Sequence, residues 1–197
     1  MNLTASTRAT IGEVRFSYLH VWEPSHGNID NGMYSVSLII PKTNTQALAI
    51  IDRAIKAAAA EGVSKLGTAG NFRRPLRDGD AERPDDEAYK GSYFLNAKST
   101  RQPGVVDAYK QPIIDQNQLQ SGDWGYACIR FFAYNKNGNK GIGCSLEHLM
   151  KTRDGESLGG GISTDAAFAD VPMAAPNPFE DYNHFAEEEQ APMPNLG

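Results

Sequence analysis

The sequence has few cysteines, no long apolar run and no lysine or arginine after Arg153. Cys128 and Cys144 are the only cysteines, and such a pair is typical of two buried thiols in a reducing compartment. No stretch approaches the roughly 20 apolar residues that a transmembrane helix needs. The first ten residues also lack the apolar segment of a secretory signal. We therefore expect a protein that stays in the cytoplasm and needs no disulfide.

The sequence lacks the residues that a metal site or a catalytic thiol requires. Cys144 and His148 are four positions apart, but two residues do not make a zinc site without further ligands at familiar spacings. Neither cysteine stands in a recognisable nucleophile pattern. We expect no metal, no cofactor and no catalytic residue.

The charge is divided unequally along the chain. Residues 1–153 carry all 19 basic residues and 15 of the 24 acidic ones, a net charge of +4, whereas 154–197 carry nine acids and a net charge of −9. A basic body indicates binding to a polyanion, and an acidic tail on the same chain can compete for the same surface.

Alternation of apolar and polar residues predicts strands over most of the body. In the first of these segments the apolar positions are Val14, Phe16, Tyr18 and Trp22. The predicted strands are Ile11–Trp22, Met33–Ile40, Tyr89–Lys98, Trp124–Tyr134 and Gly141–Ser145, with short ones at Gly104–Val106 and Pro112–Ile114. Residues 135–139 (Asn-Lys-Asn-Gly-Asn) are typical of a hairpin loop. Leu146–Lys151 is of uncertain type.

One clear helix and one long loop interrupt the strands. Thr43, Asn44 or Thr45 can cap a helix that runs to about Glu61, with Gly62 at the C′ position. From Asn71 to Glu87 the chain is rich in charge, proline and glycine, which predicts a long exposed loop.

These elements predict a mainly β protein. About five strands and one helix without βαβ alternation favour an antiparallel barrel or sandwich. Its expected extent is 1–153, with a boundary that could lie as late as about 170. The remainder, 154–197, is rich in glycine, proline and acids and is expected to be disordered.

The predicted strand Tyr89–Lys98 has an outer face whose composition is unusual for a surface that is exposed to solvent. Its odd face carries Tyr89, Tyr93, Leu95 and Ala97, as a core face does. Its even face places Phe94 among Lys90, Ser92, Asn96 and Lys98. That mixture suits a base stacking on Phe94 while phosphates meet the lysines.

The predicted strand Trp124–Tyr134 is apolar on both faces. Its odd face carries small and large residues, as a core face does: Ala127, Ile129, Phe131 and Ala133. Its even face is either covered by another element or forms a stacking platform, with Arg130 among Trp124, Tyr126, Phe132 and Tyr134. Further cations that can hold a nucleic-acid backbone lie in predicted loops: Arg73, Arg74, Arg77, Arg101, Lys110, Lys136 and Lys140. For each cation taken alone, a solvated surface charge is the competing interpretation.

Five motifs occur in this order along the chain: Tyr18-Leu-His20 with Trp22-Glu-Pro24; Leu38-Ile-Ile-Pro-Lys42; Pro75-Leu-Arg-Asp-Gly-Asp80; Lys90-Gly-Ser-Tyr-Phe-Leu-Asn-Ala-Lys-Ser99; and Tyr134-Asn with Gly138-Asn-Lys-Gly141. Together they resemble a family of tailed-phage single-stranded DNA-binding proteins. The resemblance implies an OB-fold, DNA binding across the barrel face, and a role in phage replication and recombination in the cytoplasm of the infected bacterium. It places DNA contacts most naturally on Lys90–Ser99.

The tail is the expected contact for protein partners. Its cluster of acids and aromatics comprises Phe179, Glu180, Asp181, Phe185, Glu187, Glu188 and Glu189. Bacterial relatives in function end on a proline and an aromatic after acids, whereas this chain ends in Pro-Asn-Leu-Gly. Expected partners are single-stranded DNA, phage or host replication and recombination proteins, and further copies of the chain on the DNA, with no membrane.

Two other classes of function remain open at this point. A phage nuclease would hold Mg²⁺ with Asp78, Asp80, Asp85 and Asp86. A structural or interaction protein of the virion would carry the acidic tail but would show no salt-sensitive binding to oligo-dT.

Overall fold

The computed structural model describes residues 6–26, 32–68 and 70–158. Of the tail that was expected to be disordered (154–197), the structure describes residues 154–158, whereas 159–197 and the acidic-aromatic cluster lie outside the described residues. In the described part no helix is long and apolar enough to span a membrane.

Strands make up nearly half of the described chain. They are β1 (Arg8–Ser25), β2 (Met33–Pro41), β3 (Arg77–Asp78), β4 (Ser92–Ser99), β5 (Gly104–Val106), β6 (Trp124–Lys136) and β7 (Asn139–Arg153). The helices are α1 (Thr45–Glu61), α2 (Val63–Leu66) and α3 (Gly79–Glu82), with 3₁₀ turns at Glu87–Tyr89 and Gln116–Gln118. Pro112–Ile114, predicted as a strand, forms only an isolated bridge between Val106 and Pro112.

Five of the strands close into a barrel, as the sequence predicts. Their order is β4-β2-β1-β6-β7, and β7 returns to β4 in a parallel pairing of Lys98 with Ser145. The other neighbouring pairs of the ring are antiparallel. The inward residues form one core, which includes Val14, Phe16, Leu38, Leu95, Ala97, Ala127, Ile129 and Phe131.

Helix α1 packs against this core. Asn44 is its N-cap and accepts a hydrogen bond from the amide of Ala47 at 3.1 Å. The Asn44 amide also donates to the carbonyls of Gly12 and Glu13, which attaches the start of the helix to β1. Gly62 follows the helix as predicted, and a β-carbon there would collide with that of Ala133 on β6. A glycine at this position lets the helix end approach the barrel wall.

Strand β1 contains a bulge that changes which residues face inward. Ser17 pairs with Ser37 and His20 with Ser35, so three steps on β1 match two on β2. Before the bulge Phe16 is buried, and after it Val21 is buried. Tyr18, predicted on the apolar face, is instead 56% exposed.

The predicted exposed loop from Asn71 to Glu87 is ordered and partly buried. It contains β3, α3 and the first 3₁₀ turn. Its acidic residues fold it locally: Asp78 caps α3 and Asp86 caps the 3₁₀ turn. Because Tyr89 follows with no exposed surface, the segment lies against the barrel and covers part of it.

The barrel contacts extend past Arg153. The amide of Gly155 donates to Asp123, Arg15 donates to the carbonyl of Glu156, and the amide of Leu158 donates to the carbonyl of Ser121. Asp123 is fully buried and also forms an ion pair with Lys151 at 2.9 Å. These bonds fix residues 154–158 on the surface of the barrel.

Candidate nucleic-acid interface

A groove of about 750 Å³ crosses the outside of β4, β6 and β7. We call it the main groove, and it is lined by Met33, Arg73, Arg74, Pro75, Arg77, Asn96, Lys98, Phe132, Tyr134, Lys136, Ile142, Gly143 and Cys144. Five of these described residues are cations and none is acidic. A concave surface of one sign attracts a polyanion.

The segment from Arg73 to Asp78 places its cations in this groove. The amide of Arg73 donates to the carbonyl of Lys140 at 2.9 Å, and its own carbonyl accepts from Ile142 at 3.0 Å. Four residues later, Arg77 pairs with Phe94 on β4. The segment therefore bridges β7 and β4 beside the single parallel pair that closes the barrel.

Two aromatic side chains form the apolar part of the groove. Phe132 lies across from Gly143, and Tyr134 lies across from Gly141. A β-carbon at Gly143 would be 2.5 Å from Cζ of Phe132, and one at Gly141 would be 2.5 Å from Oη of Tyr134. Both rings thus lie over glycine backbone, a cross-strand arrangement found in sheets. Phe132 keeps 47% of its surface exposed, as a stacking platform requires.

Three further clefts share residues with the main groove. The hairpin cleft, of about 460 Å³, shares Arg73, Tyr134 and Lys136 with it and adds Lys140. The Arg101 cleft, of about 760 Å³, shares Lys98 and Phe132 and adds Arg8, Arg101 and Glu147. The Tyr18 cleft, of about 210 Å³, shares Asn96 and Lys98 and adds Tyr18, His20 and Arg83. The shared residues make one continuous surface.

Ten of the predicted contact residues of the body meet on this surface. They are Arg73, Arg74, Arg77, Asn96, Lys98, Arg101, Phe132, Tyr134, Lys136 and Lys140. Their contact with a ligand stays a prediction, but their convergence from four separate segments of the chain is a property of the fold.

Some of these cations already have acidic partners. Arg77 donates to Glu82 at 2.7 Å through Nε, and this bond raises the pKa of Arg77 and lowers that of Glu82. Arg74 contacts Asp52 at 3.4 Å. A phosphate at either position competes with a carboxylate, so we rank both below Arg73 and Lys136 as backbone contacts.

Phe94 is not a stacking platform, which corrects the prediction from strand parity. The side chain is fully buried, with the ring of Tyr89 at 5.1 Å in an edge-to-face contact. Arg77 and Arg83 lie over the Phe94 ring at 4.8 and 5.2 Å from its centroid. The outer face of the sheet also carries Ile39, directly opposite Phe94. Because Ile39 and Phe94 are adjacent apolar side chains on the outside of the sheet, it is favourable to bury them. Residues 77–90 pack over this part of the sheet.

Five other predicted residues lie outside the continuous surface, and one of them is Lys110, which is exposed and lines none of the four clefts. Trp124 is half-buried between the guanidinium groups of Arg15 and Arg153, at 6.0 and 4.4 Å from its ring centroid. Tyr126 lies over Gly12 at the same end of β6. Lys90 is paired with Glu87 at 3.5 Å. Arg130 is exposed on the outer face of β6, between Cys128 and Phe132, but lines none of the four clefts.

Sequence reasoning missed several residues of the surface. Met33 lines both the main groove and the Arg101 cleft. Arg8 lines the Arg101 cleft and forms two hydrogen bonds with Glu147, at 2.6 and 3.0 Å. Glycines at alternate positions, Gly141 and Gly143, were a usable signal, because they stand opposite the aromatics of the same hairpin.

Three of the four acidic residues proposed for a magnesium site, Asp78, Asp80 and Asp86, have structural partners. Lys42 contacts Asp78 at 2.8 Å and Asp80 at 2.7 Å. Asp80 also accepts from the amide of Gly91, and Asp86 accepts from that of Ala88. No group of three or more His, Cys, Asp or Glu side chains that could hold a metal occurs in the described part of the chain.

The thiols are poorly placed for nucleophilic chemistry. Burial raises the pKa of Cys144, and burial is also the main cause of the raised pKa of Cys128. A raised pKa keeps a thiol protonated and unreactive.

The barrel topology defines the class of protein. The order β4-β2-β1-β6-β7, closed by one parallel pair, is that of an OB-fold, which binds oligonucleotides on its second and third strands and on the loops after its first and fourth strands. Here those strands are β2 and β4, and the loop after the fourth strand is the turn at Asn137 and Gly138. The described surface lies in this region.

The chain belongs to the family of single-stranded DNA-binding proteins represented by that of Enterobacter phage Enc34, whose model matches residues 7–178. A phage relative, protein p50 of Acyrthosiphon pisum secondary endosymbiont phage 1, is 30% identical over 175 residues, which span 83% of this chain and 94% of p50. Family membership confirms the resemblance read from the five motifs. The prediction that the protein is not an enzyme is also confirmed, because the members of this family are single-stranded DNA-binding proteins, which are not enzymes.

Solved structures agree on the fold. The Enc34 protein in complex with single-stranded DNA has a TM-score of 0.68 at 24% identity, covering 81% of this chain and 96% of that one. The single-stranded DNA-binding protein gp2.5 of bacteriophage T7 has a TM-score of 0.55 at 18% identity, covering 86% and 97%. The prediction of an OB-fold barrel with one main helix is therefore confirmed.

Proposed function

We propose that this protein binds single-stranded DNA, largely independently of sequence, along the main groove and its adjoining clefts. The observation that carries the proposal is the acid-free groove in which Phe132 and Tyr134 lie among five cations. Stacking on aromatic rings tolerates any base, and lysine and arginine neutralise phosphates. The Enc34 relative is itself described in complex with single-stranded DNA.

The biological role that fits this binding is coating and protection of exposed strands. Family membership supports a role in phage replication and recombination, inside the cytoplasm of the infected bacterium. Several copies on one strand would exclude nucleases and remove hairpins.

The acidic tail is proposed to compete with DNA. Residues 159–197 contain seven acids and neither lysine nor arginine, opposite in sign to the groove. When DNA displaces the tail, the cluster of Phe179, Glu180, Asp181, Phe185 and Glu187–Glu189 becomes available to replication or recombination proteins.

One titration tests the binding. Labelled oligo-dT and a duplex of equal length are titrated with the full chain at two salt concentrations, followed by anisotropy. We expect tighter binding to oligo-dT and a loss of affinity as salt rises. In the double variant F132A/Y134A the affinity should fall, whereas the control Y109A, which removes an 85% exposed tyrosine outside the four clefts, should match the wild type.

Two results would contradict the proposal. Absence of salt-sensitive binding to oligo-dT favours a virion or interaction protein. Degradation of the labelled DNA that depends on added Mg²⁺ favours the nuclease.

A further inference from the structure

We propose that Tyr18 forms an additional nucleobase subsite at the end of the Tyr18 cleft, where one base of the bound strand stacks on its ring. The proposal rests on the proposed function. It extends the DNA-binding surface from β4, β6 and β7 across β2 to β1. It adds Tyr18, which the alternation of apolar and polar residues along the strand places on the apolar face.

The first observation is the bulge in β1. One extra residue lies between Ser17 and His20 relative to the paired strand. Bulges occur often beside functional sites, where they redirect a side chain. Here the bulge turns a tyrosine that alternation would bury into one that is 56% exposed.

The second observation is the backbone of Tyr18. Its φ is +47°, in the left-handed region. A bulky aromatic residue pays a conformational cost there, and glycine or asparagine would adopt the same backbone with less strain. Folding stability alone does not explain an exposed aromatic ring at this position, and strained residues of this kind cluster at binding sites.

The third observation is the surroundings of the ring. The guanidinium of Arg83 lies over Tyr18 at 5.0 Å from the ring centroid, and it also lies over Tyr89 at 4.4 Å. Arg83 is thus fixed between a buried and an exposed ring and holds one face of Tyr18. Because the ring keeps more than half of its surface exposed, a base can still stack on it.

The fourth observation is the connection to the main groove. The Tyr18 cleft shares Asn96 and Lys98 with that groove. Its described lining contains His20, Ser25, Ser35 and Ser37 and no acidic residue. The cleft, at about 210 Å³, is smaller than the roughly 300–1,000 Å³ of typical small-molecule pockets. It therefore suits a single nucleotide unit on a strand whose phosphates pass Lys98.

The test removes the ring while keeping the backbone conformation. Tyr18→Asn replaces the aromatic ring with a residue that tolerates a positive φ, and Tyr18→Phe keeps the ring. We expect Tyr18→Asn to weaken binding to a long oligo-dT by roughly 5- to 150-fold, the range for loss of one base–aromatic stack. Tyr18→Phe should stay within about 2-fold of the wild type, since stacking needs the ring and not the hydroxyl.

A salt series separates lost stacking from lost charge. The slope of log affinity against log salt should be the same for Tyr18→Asn and the wild type, because no phosphate contact is removed. The melting temperature of Tyr18→Asn should not fall, which excludes unfolding as the cause. The matched control is again Tyr109→Ala.

The outcomes distinguish the subsite from the function as a whole. Suppose that the wild type binds oligo-dT and that F132A/Y134A weakens this binding. If Tyr18→Asn then has no effect on affinity, the subsite proposal is wrong and the proposed function stands. A wild type that does not bind oligo-dT overturns both. A reduced salt slope for Tyr18→Asn also overturns the stacking role.

Discussion

Phe132 on β6 lies over Gly143 on β7, at a separation that leaves no room for a β-carbon on the glycine. The glycine lets the ring lie against the strand with nearly half of its surface open. A residue without a side chain therefore positions a predicted DNA contact from the neighbouring strand.

Gly143→Ala should displace the Phe132 ring without removing it. The expected loss in affinity for oligo-dT is up to that of Phe132→Ala, about 1–3 kcal/mol for one lost stack. A double-mutant cycle checks the mechanism. In the Phe132→Ala background, Gly143→Ala should cost no further affinity, and an equal loss in both backgrounds would show that the glycine acts in another way.

Phe94 and Phe132 should respond to substitution in opposite ways. Phe94 is fully buried, so Phe94→Ala should destabilise the protein by about 3–5 kcal/mol. Phe132→Ala should cost less, about 1 kcal/mol, because nearly half of its surface is already exposed, and should weaken DNA binding. Chemical denaturation and oligo-dT titration of both variants measure this contrast. Normal stability of Phe94→Ala would contradict the burial assigned to it.

Lysines inside and outside the groove should differ in their effect on salt dependence. Lys136 lines the main groove and the hairpin cleft, so Lys136→Gln should reduce the slope of log affinity against log salt by roughly 0.7. Lys90 is the matched control, because it is exposed and lines none of the clefts. An equal reduction for Lys90→Gln would mean that the DNA path differs from the groove.

Asp80 should stabilise the fold at neutral pH and lose this effect in acid. Its hydrogen bond with Lys42, followed by that from the Gly91 amide, lowers its pKa below the ordinary value of 3.8. A carboxyl with a lowered folded-state pKa stabilises the protein above its unfolded pKa, and the effect disappears as the pH falls through the folded value. Asp80→Asn should therefore lower the melting temperature at pH 7, and the difference from the wild type should shrink below pH 3.8. A difference that persists unchanged in acid would argue against the ion pair.

Removal of the tail should tighten DNA binding at low salt. The suitable truncation ends at Leu158, because residues 154–158 bond to the barrel at Ser121, Asp123 and Arg15. We expect a higher affinity for oligo-dT than the full chain has, with the difference decreasing as salt screens the competing acids. Truncation at Arg153 should in addition lower the melting temperature. Unchanged affinity after truncation at Leu158 would count against competition by the tail.

Much of the fold follows from local patterns in the sequence. Helix α1 is capped by Asn44, one of the three predicted candidates, and has its C′ glycine at Gly62 as predicted, because capping depends on residues within one turn. Strand β6 matches its predicted core face of Ala127, Ile129, Phe131 and Ala133, since alternation holds where a strand is regular. Alternation did not predict Tyr18, because a bulge shifts the register and depends on the partner strand.

The sequence by itself determined the class of protein: a basic β body, an acidic segment after Arg153, and aromatics among cations on predicted strands. Only the tertiary structure decided which of those aromatics are open to a ligand. Phe94 and Phe132 have the same parity and similar neighbours, yet residues 77–90 cover Phe94 and a glycine holds Phe132 exposed. Exposure depends on what packs over a side chain, and the segment that packs there is set by contacts between residues far apart in the chain.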